Sequence, residues 1–102
     1  MIEIKECTLE DVSLLAEMNK QLIEDEKADN SMDIIQLKNR MTDFLNNGYK
    51  AFFFILNKEI VGYALCDMTK EPIYLRQFFI RREERRKHYG KLHLRTYWKK
   101  LI

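Results

Sequence analysis

Cysteine is scarce: the 102 residues contain two, Cys7 and Cys66. That is too few for a disulfide scaffold, and their spacing fits no metal or redox pattern, so small buried core residues are expected at both positions rather than nucleophiles. Long apolar runs are missing as well. The longest, residues 51–56, has six residues, against the roughly 20 needed to span a bilayer, so no transmembrane helix is expected. Residues 1–7 alternate Ile with Glu and Lys. No basic head precedes an apolar block there, which argues against a secretory signal and for a cytoplasmic protein. Repeats and low-complexity linkers are absent. What is present is 46% hydrophobic and 33% charged residue, the composition of a single globular domain over 1–102.

Net charge is only +2, but its distribution is uneven. Residues 1–50 carry 6 Lys/Arg and 11 Asp/Glu; residues 51–102 carry 12 and 5. From Arg76 onward there are ten Lys/Arg and two acids, Glu83 and Glu84. A local cationic region on a nearly neutral chain fits a small polyanionic ligand or a nucleic-acid patch, and equally a solvated helix face.

Periodicity supplies the order of elements. Ile2 and Ile4 alternate with charged residues as in a half-buried strand. Thr8, with Asp11 three residues on, caps a helix whose apolar stripe is Val12, Leu15, Met18 and Leu22 and which ends near Glu26. Ser31 is expected to cap a second helix carrying Ile34, Leu37, Met41, Phe44 and Leu45, stopped by Asn47 and Gly48. Residues 51–56 and 60–68 form a hairpin around the turn at 57–59. Gly62 marks a bulge or a close backbone approach. Pro72 separates this hairpin from a third strand, 73–80, in which Tyr74, Arg76, Phe78 and Ile80 face one way and Leu75, Gln77 and Phe79 the other. After the charged stretch 81–88 comes Gly90, then Leu94, Tyr97, Trp98 and Leu101 at helical spacing.

A strand leading through a basic turn into a helix that starts at a glycine is a physical recipe for holding phosphate. Unpaired N–H groups point outward at the helix start, and the glycine admits the ligand to the main chain. Here Arg85, Arg86, Lys87 and Lys91 surround Gly90. The run from Ile73 through Phe78, Phe79 and Ile80 to Gly90 and Lys91 resembles the acetyl-CoA-binding motif of the GNAT superfamily of N-acetyltransferases. The acidic run at 22–26, followed by Asn30 and Met32, is similar to the connection between the first two helices in one bacterial branch.

The resemblance implies an α/β (α+β) domain with a partial GNAT fold. Its order would be strand, two helices, three antiparallel strands and helix, around a central mixed or antiparallel sheet flanked by helices. It implies acetyl-CoA as cofactor, with the backbone around Phe78, Phe79 and Ile80 pairing with the pantetheine arm. The family's phosphate signature falls on Arg85, His88 and Gly90. His88 stands where a glycine is usual, and Tyr89 completes the turn. The implied chemistry is direct attack of a small or peptide amine on the thioester, with the oxyanion met by a strand N–H. Glu24, Asp25, Glu26 and Asn30 would border the acceptor cleft and favour a cationic amine; an ordinary solvated loop is the competing reading. No metal is implied.

Family members continue with a further strand, a helix that commonly supplies a tyrosine as general acid, and a closing strand pair. Ending at Ile102, this chain is expected to be a C-terminally truncated domain. Tyr49, Tyr63, Tyr89 and Tyr97 do not occupy that tyrosine's position, so no catalytic acid or base is assigned. Without the missing strand, 73–80 is expected to be an exposed apolar edge that pairs with a second copy in a homodimer. Suitable codons for residues 91–102, read with a two-base offset, encode a segment closer to the family's helix, the trace expected of a frameshift in a longer ancestor. Two other functional classes stand beside the transferase. One is a catalytically silent remnant that binds the coenzyme or another subunit. The other is a nucleic-acid module using Phe52, Phe53, Phe54, Phe78 and Phe79 as stacking platforms, against which core packing of those rings is the stronger reading.

Overall fold

The alternation of Ile2 and Ile4 with charged residues forms the strand it predicts, β1 (Ile2–Glu6). In the computed structural model, which describes residues 2–27 and 31–85, it is followed by α1 (Val12–Asp25), α2 (Ile34–Asn46), β2 (Tyr49–Leu56), β3 (Glu59–Asp67), β4 (Tyr74–Ile80) and the short α3 (Arg82–Arg85). The helix expected over 90–101 lies outside the described residues. α3 falls within the stretch read from sequence as a charged turn, and Glu83 and Glu84 in its first turn suit the positive end of a helix.

Thr8 is a cap, though of a single 3-10 turn (Leu9–Asp11) that leads into α1. Its hydroxyl accepts from the Glu10 N–H at 3.2 Å, and the Asp11 carboxylate accepts from the Thr8 N–H at 2.8 Å. The cap of α2 is Asp33, not Ser31. The Asp33 carboxylate accepts from the Gln36 N–H at 2.8 Å, while the Gln36 amide oxygen accepts from the Asp33 N–H at 2.9 Å. The reciprocal box requires a side-chain acceptor three residues after the cap; Gln36 supplies it for Asp33, whereas Ile34 stands there for Ser31. Asp33→Ala is therefore expected to lower stability by about 1 kcal/mol in chemical denaturation, whereas Ser31→Ala stays within about 0.5 kcal/mol of the parent.

The four strands form one antiparallel sheet in the order β1-β2-β3-β4. Two residues, Asn57 and Lys58, join β2 to β3, both at positive φ (52° and 68°), the conformation a tight hairpin turn demands. Two register shifts interrupt the ladders. One lies at Phe54/Ile55, where Gly62 faces Phe54 and Ile60 faces Ile55. The other lies at Leu65/Cys66: Leu65 faces Gln77 and Cys66 faces Leu75, so Arg76 has no opposite residue. This bulge corrects the alternation expected for β4. Leu75 joins Phe78 and Ile80 on one face, while Arg76 reaches the Phe44 and Tyr49 rings on the other.

Each face of the sheet carries a core. α1 and α2 pack on the first through Leu15, Met18, Leu22 and Met41, against Ala51, Phe53, Tyr63, Leu65 and Phe79. The second gathers Phe54, Val61, Ala64, Cys66, Phe78 and Ile80, with no residue of a described helix among them. Cys7 and Cys66 are both buried, as expected, and neither forms a disulfide. No helix among the described residues is long and apolar enough to cross a membrane.

The turn after β3 is held by Asp67, whose carboxylate accepts from the Thr69 hydroxyl at 2.6 Å and the Thr69 N–H at 2.9 Å. Those two bonds hold its pKa below the ordinary 3.8. A carboxylate whose folded pKa is lowered contributes stability that is complete above its unfolded value and is lost as pH falls through the folded one. Stability should therefore fall with acid below pH 3.8, and Thr69→Val should make that fall shallower in a series of thermal melts from neutral to acid pH.

Candidate functional site

The C-terminal half of β4 presents main chain to the open side of the sheet. The Arg81 N–H donates to the Val61 carbonyl at 2.8 Å, and Gly62 faces Ile80, Tyr63 faces Phe79 and Ala64 faces Phe78. In an antiparallel ladder this makes Tyr63–Phe79 a hydrogen-bonded pair and the two flanking pairs non-bonded. The N–H and C=O of Phe78 consequently point away from β3. Among the described residues β4 pairs only with β3. β4 is thus an edge strand among the described residues, but the side chains of Phe78, Phe79 and Ile80 are buried, and Tyr74, 53% exposed, is the large apolar group the strand leaves open.

Gly62 sets how close β4 lies. A Cβ at that position would overlap the Phe79 carbonyl oxygen and come within 2.9 Å of Ile80 Cδ1. Beyond the strand, the Arg81 guanidinium is tied down, its Nε donating to the Ile60 carbonyl at 2.9 Å. Of the ten residues the sequence assigned to the coenzyme, the structure describes Phe78, Phe79, Ile80 and the backbone of Arg85. Arg86, Lys87, His88, Tyr89, Gly90 and Lys91 lie outside the described residues, as does Asn30 of the acceptor set.

The end of α1 meets the start of α3. Arg82 Nε donates to Asp25 Oδ1 at 2.7 Å, and a second guanidinium nitrogen pairs with the same oxygen. The Asp25 side chain is 11% exposed and the Arg82 side chain 64%, so this carboxylate is a committed anchor rather than a free acid of a solvated loop. The pair joins the acidic connection to the segment after β4 across 57 residues of sequence. Glu24 lies on an adjoining open groove of about 650 Å³ between α1, the start of α2 and Arg81. The Glu24 carbonyl accepts from the Lys27 N–H at 3.1 Å.

A polar cluster that sequence reading missed lies under the helices. Tyr63 is fully buried, and its hydroxyl donates to Gln77 Oε1 at 2.7 Å. Burial holds that phenol far above its ordinary range, an effect opposed by Arg40 and by Asn19 at its side and reinforced by Glu26. Asn19, 1% exposed, keeps Oδ1 without a hydrogen-bond partner. The available signal was slight: Asn19 is a polar residue on the stripe of Leu15, Met18 and Leu22. At the outer end of the cluster, the guanidinium carbons of Arg40 and Arg76 lie 5.3 and 5.1 Å from the Phe44 ring centroid. Cys7, its thiol pushed up to about 12 by burial, is no nucleophile at neutral pH. No group of three or more His, Cys, Asp or Glu among the described residues could hold a metal ion.

No protein-family model matches the chain, and no curated protein matches it. Solved structures do. The "possible acetyltransferase" of Clostridium difficile 630 superposes with a TM-score of 0.78 at 18% identity, over 99% of this chain and 70% of that one. The "predicted acetyltransferase with acetyl-CoA" of Clostridium acetobutylicum gives 0.73 at 17%, over 100% and 71%. A GNAT-family acetyltransferase of Staphylococcus aureus Mu50 gives 0.63 at 23%, over 94% and 63%. The chain thus carries the fold of GNAT acetyltransferases over the part of that fold its 102 residues span.

Proposed function

We propose that the chain binds acetyl-CoA along the open edge of β4 and passes the acetyl group to an amine. The observation that carries this reading is the outward-facing main chain of Phe78, on a fold that one similar protein was solved holding acetyl-CoA. A backbone N–H and C=O at a sheet edge accept an extended amide-bearing arm as they would a further strand. The fit extends to charge, because Arg85, Arg86, Lys87 and Lys91, with His88, Tyr89 and Gly90 between them, follow β4 directly and complement phosphates.

Acetyl-CoA supplies an activated acetyl thioester when bound. The chain's own part is to hold and polarise. The Phe78 N–H donates to oxygen at the open edge, where negative charge develops during acyl transfer. The acceptor side is bordered by Glu24, Glu26 and Asn30, with Asp25 holding the connection in place through Arg82. With acetyl-CoA bound, transfer would form a C–N bond as the C–S bond breaks, and the proton lost by the amine would balance the one taken up by coenzyme A as it leaves as the free thiol. No side chain among the described residues is assigned as general acid or base. A second reading, a silent coenzyme-binding remnant, shares the binding step and lacks turnover. Pairing of two copies along β4 would use the same edge and compete with the coenzyme.

Calorimetric titration with acetyl-CoA is the test, with light scattering on the same samples. Saturable binding, with any dimer dissociating as coenzyme is added, supports the reading, and release of free thiol on adding an amine separates the enzyme from the remnant. Absence of binding overturns it. Retention on DNA or RNA that weakens steeply with salt would favour the nucleic-acid alternative instead.

A further inference from the structure

We propose that two copies of this chain join edge to edge along β1, antiparallel about a two-fold axis at Ile4, with Glu3 of each copy facing Lys5 of the other. The first observation is an open edge. β1 is the outermost strand of the sheet and, among the described residues, pairs only with β2. The Cys7 N–H donates to the Ala51 carbonyl at 2.8 Å, and the register continues with Lys5 opposite Phe53 and Glu3 opposite Ile55. In an antiparallel ladder these are the bonded pairs, so the main-chain groups of Ile2, Ile4 and Glu6, which alternate with them, point away from β2. Such a row of outward N–H and C=O groups is a template for a further strand.

The second observation is the order of side chains along that edge. Glu3 and Lys5 are exposed, and neither has an ion-pair partner among the described residues. They stand opposite Ile55 and Phe53, on the face of the sheet that carries α1 and α2. Ile2 and Ile4 lie on the other face, half-buried against the second core. The strand is therefore complementary to itself. A two-fold turn about Ile4 sets Ile4 against Ile4, Ile2 against Glu6 and Glu3 against Lys5, as an isologous interface requires. The Ile4–Ile4 pair and the two Ile2–Glu6 pairs use the outward main-chain groups, each exchanging two hydrogen bonds. The two Glu3–Lys5 pairs fall at non-bonded positions, where Cα atoms approach to about 4.5 Å and opposite charges attract most closely. Glu6 keeps the answer to its charge within its own chain, at Lys50 Nζ 3.7 Å away.

No neighbouring register serves as well. A slip of one residue turns the isoleucines of one copy to the charged face of the other and puts outward main-chain groups against inward ones. A slip of two restores that phase but moves the axis to Glu3 or to Lys5, setting two carboxylates or two ammonium groups directly opposite each other. Charges on an edge strand commonly keep other strands away. An alternation of opposite signs does so in every register except the one that a second copy supplies about Ile4. The pairing would join two four-stranded sheets into one and leave each β4 edge at an outer end. It stands independently of the transferase reading and does not compete with the coenzyme.

The test is sedimentation of the whole chain at concentrations up to about 1 mM, where an interface this small associates. The parent is expected to dimerise with rising concentration. Lys5→Glu opposes two carboxylates in both pairs and Glu3→Lys opposes two ammonium groups, so each should weaken the dimer by about tenfold or more. Combining Glu3→Lys with Lys5→Glu exchanges the signs and should restore the dimer to within about threefold of the parent. An equimolar mixture of the two single variants should form a heterodimer where neither associates alone. Both positions are exposed, so the melting temperatures should stay near that of the parent. The dimer should also persist in saturating acetyl-CoA, whereas one joined along β4 dissociates. A parent that stays monomeric overturns the proposal and leaves Glu3 and Lys5 as guards of the edge. A dimer that survives both single variants, or that the double variant fails to restore, overturns it as well.

Discussion

Gly62→Ala is expected to destabilise the protein by about 3 kcal/mol, the upper end of the range for forced overpacking, and to lower its melting temperature by on the order of 15 °C. The cost is not one of backbone angle, since the position needs no positive φ. It comes from the Phe79 carbonyl oxygen, inside contact distance of the new methyl, with Ile80 Cδ1 at 2.9 Å and Ile80 Cα at 3.1 Å. A flexible side chain could swing aside; a backbone carbonyl cannot move without breaking the β3–β4 ladder. The displaced segment is also the one that turns Phe78 outward, so affinity for acetyl-CoA should fall with stability. Denaturant unfolding gives the first quantity and calorimetry the second. A Gly62→Ala protein within about 1 kcal/mol of the parent, the size of an ordinary substitution, would show that the strands can separate freely here, and would remove the rigid edge on which the coenzyme proposal rests.

Much of this geometry is legible in the residues. Gly62 inside an apolar strand announced a bulge or a close approach, and both occur, because a side-chain-free position in a strand has few other uses. The stripes of α1 and α2 and the turn at Asn57 and Lys58 are local signals, each written within a few residues of where it acts. Features set by a partner strand or a distant element were not legible. The bulge at Arg76 depends on how Leu65 and Cys66 pair across β3, and an alternating sequence in β4 carries no mark of it. The Asp25–Arg82 pair forms only when the sheet brings the end of α1 to the end of β4. Asn19, Tyr63 and Gln77 come from three elements, and each alone reads as an ordinary helix or strand residue. At the candidate site, therefore, the strand segment at Phe78, Phe79 and Ile80 could be named from sequence, while the polar wall behind it had to be seen assembled.

Phe54→Ala should cost about 3–5 kcal/mol, as much as Phe53→Ala on the opposite face. The two positions are neighbours in β2 and point into different cores: Phe53 toward α1 and α2, Phe54 toward Phe78 and Ile80. No described helix contributes to the second cluster, so its standing as a core rests on burial. Phe54 is fully buried, and its ring centroid lies 5.3 Å from that of Phe78. A ring on an open platform would lose little on truncation, under about 1 kcal/mol, because surface substitutions seldom cost more. Equal losses at Phe53 and Phe54 in denaturant unfolding would establish two interiors and exclude base stacking on Phe53, Phe54, Phe78 and Phe79, since a ring used for stacking must reach solvent. A small loss at Phe54 alone would mean that the face opens in solution, and would return the aromatic residues of β2 and β4 to the nucleic-acid reading. The variant also bears on the coenzyme edge, because the Phe54 ring supports Phe78 from behind. Its removal should weaken acetyl-CoA binding even at temperatures where the chain remains folded.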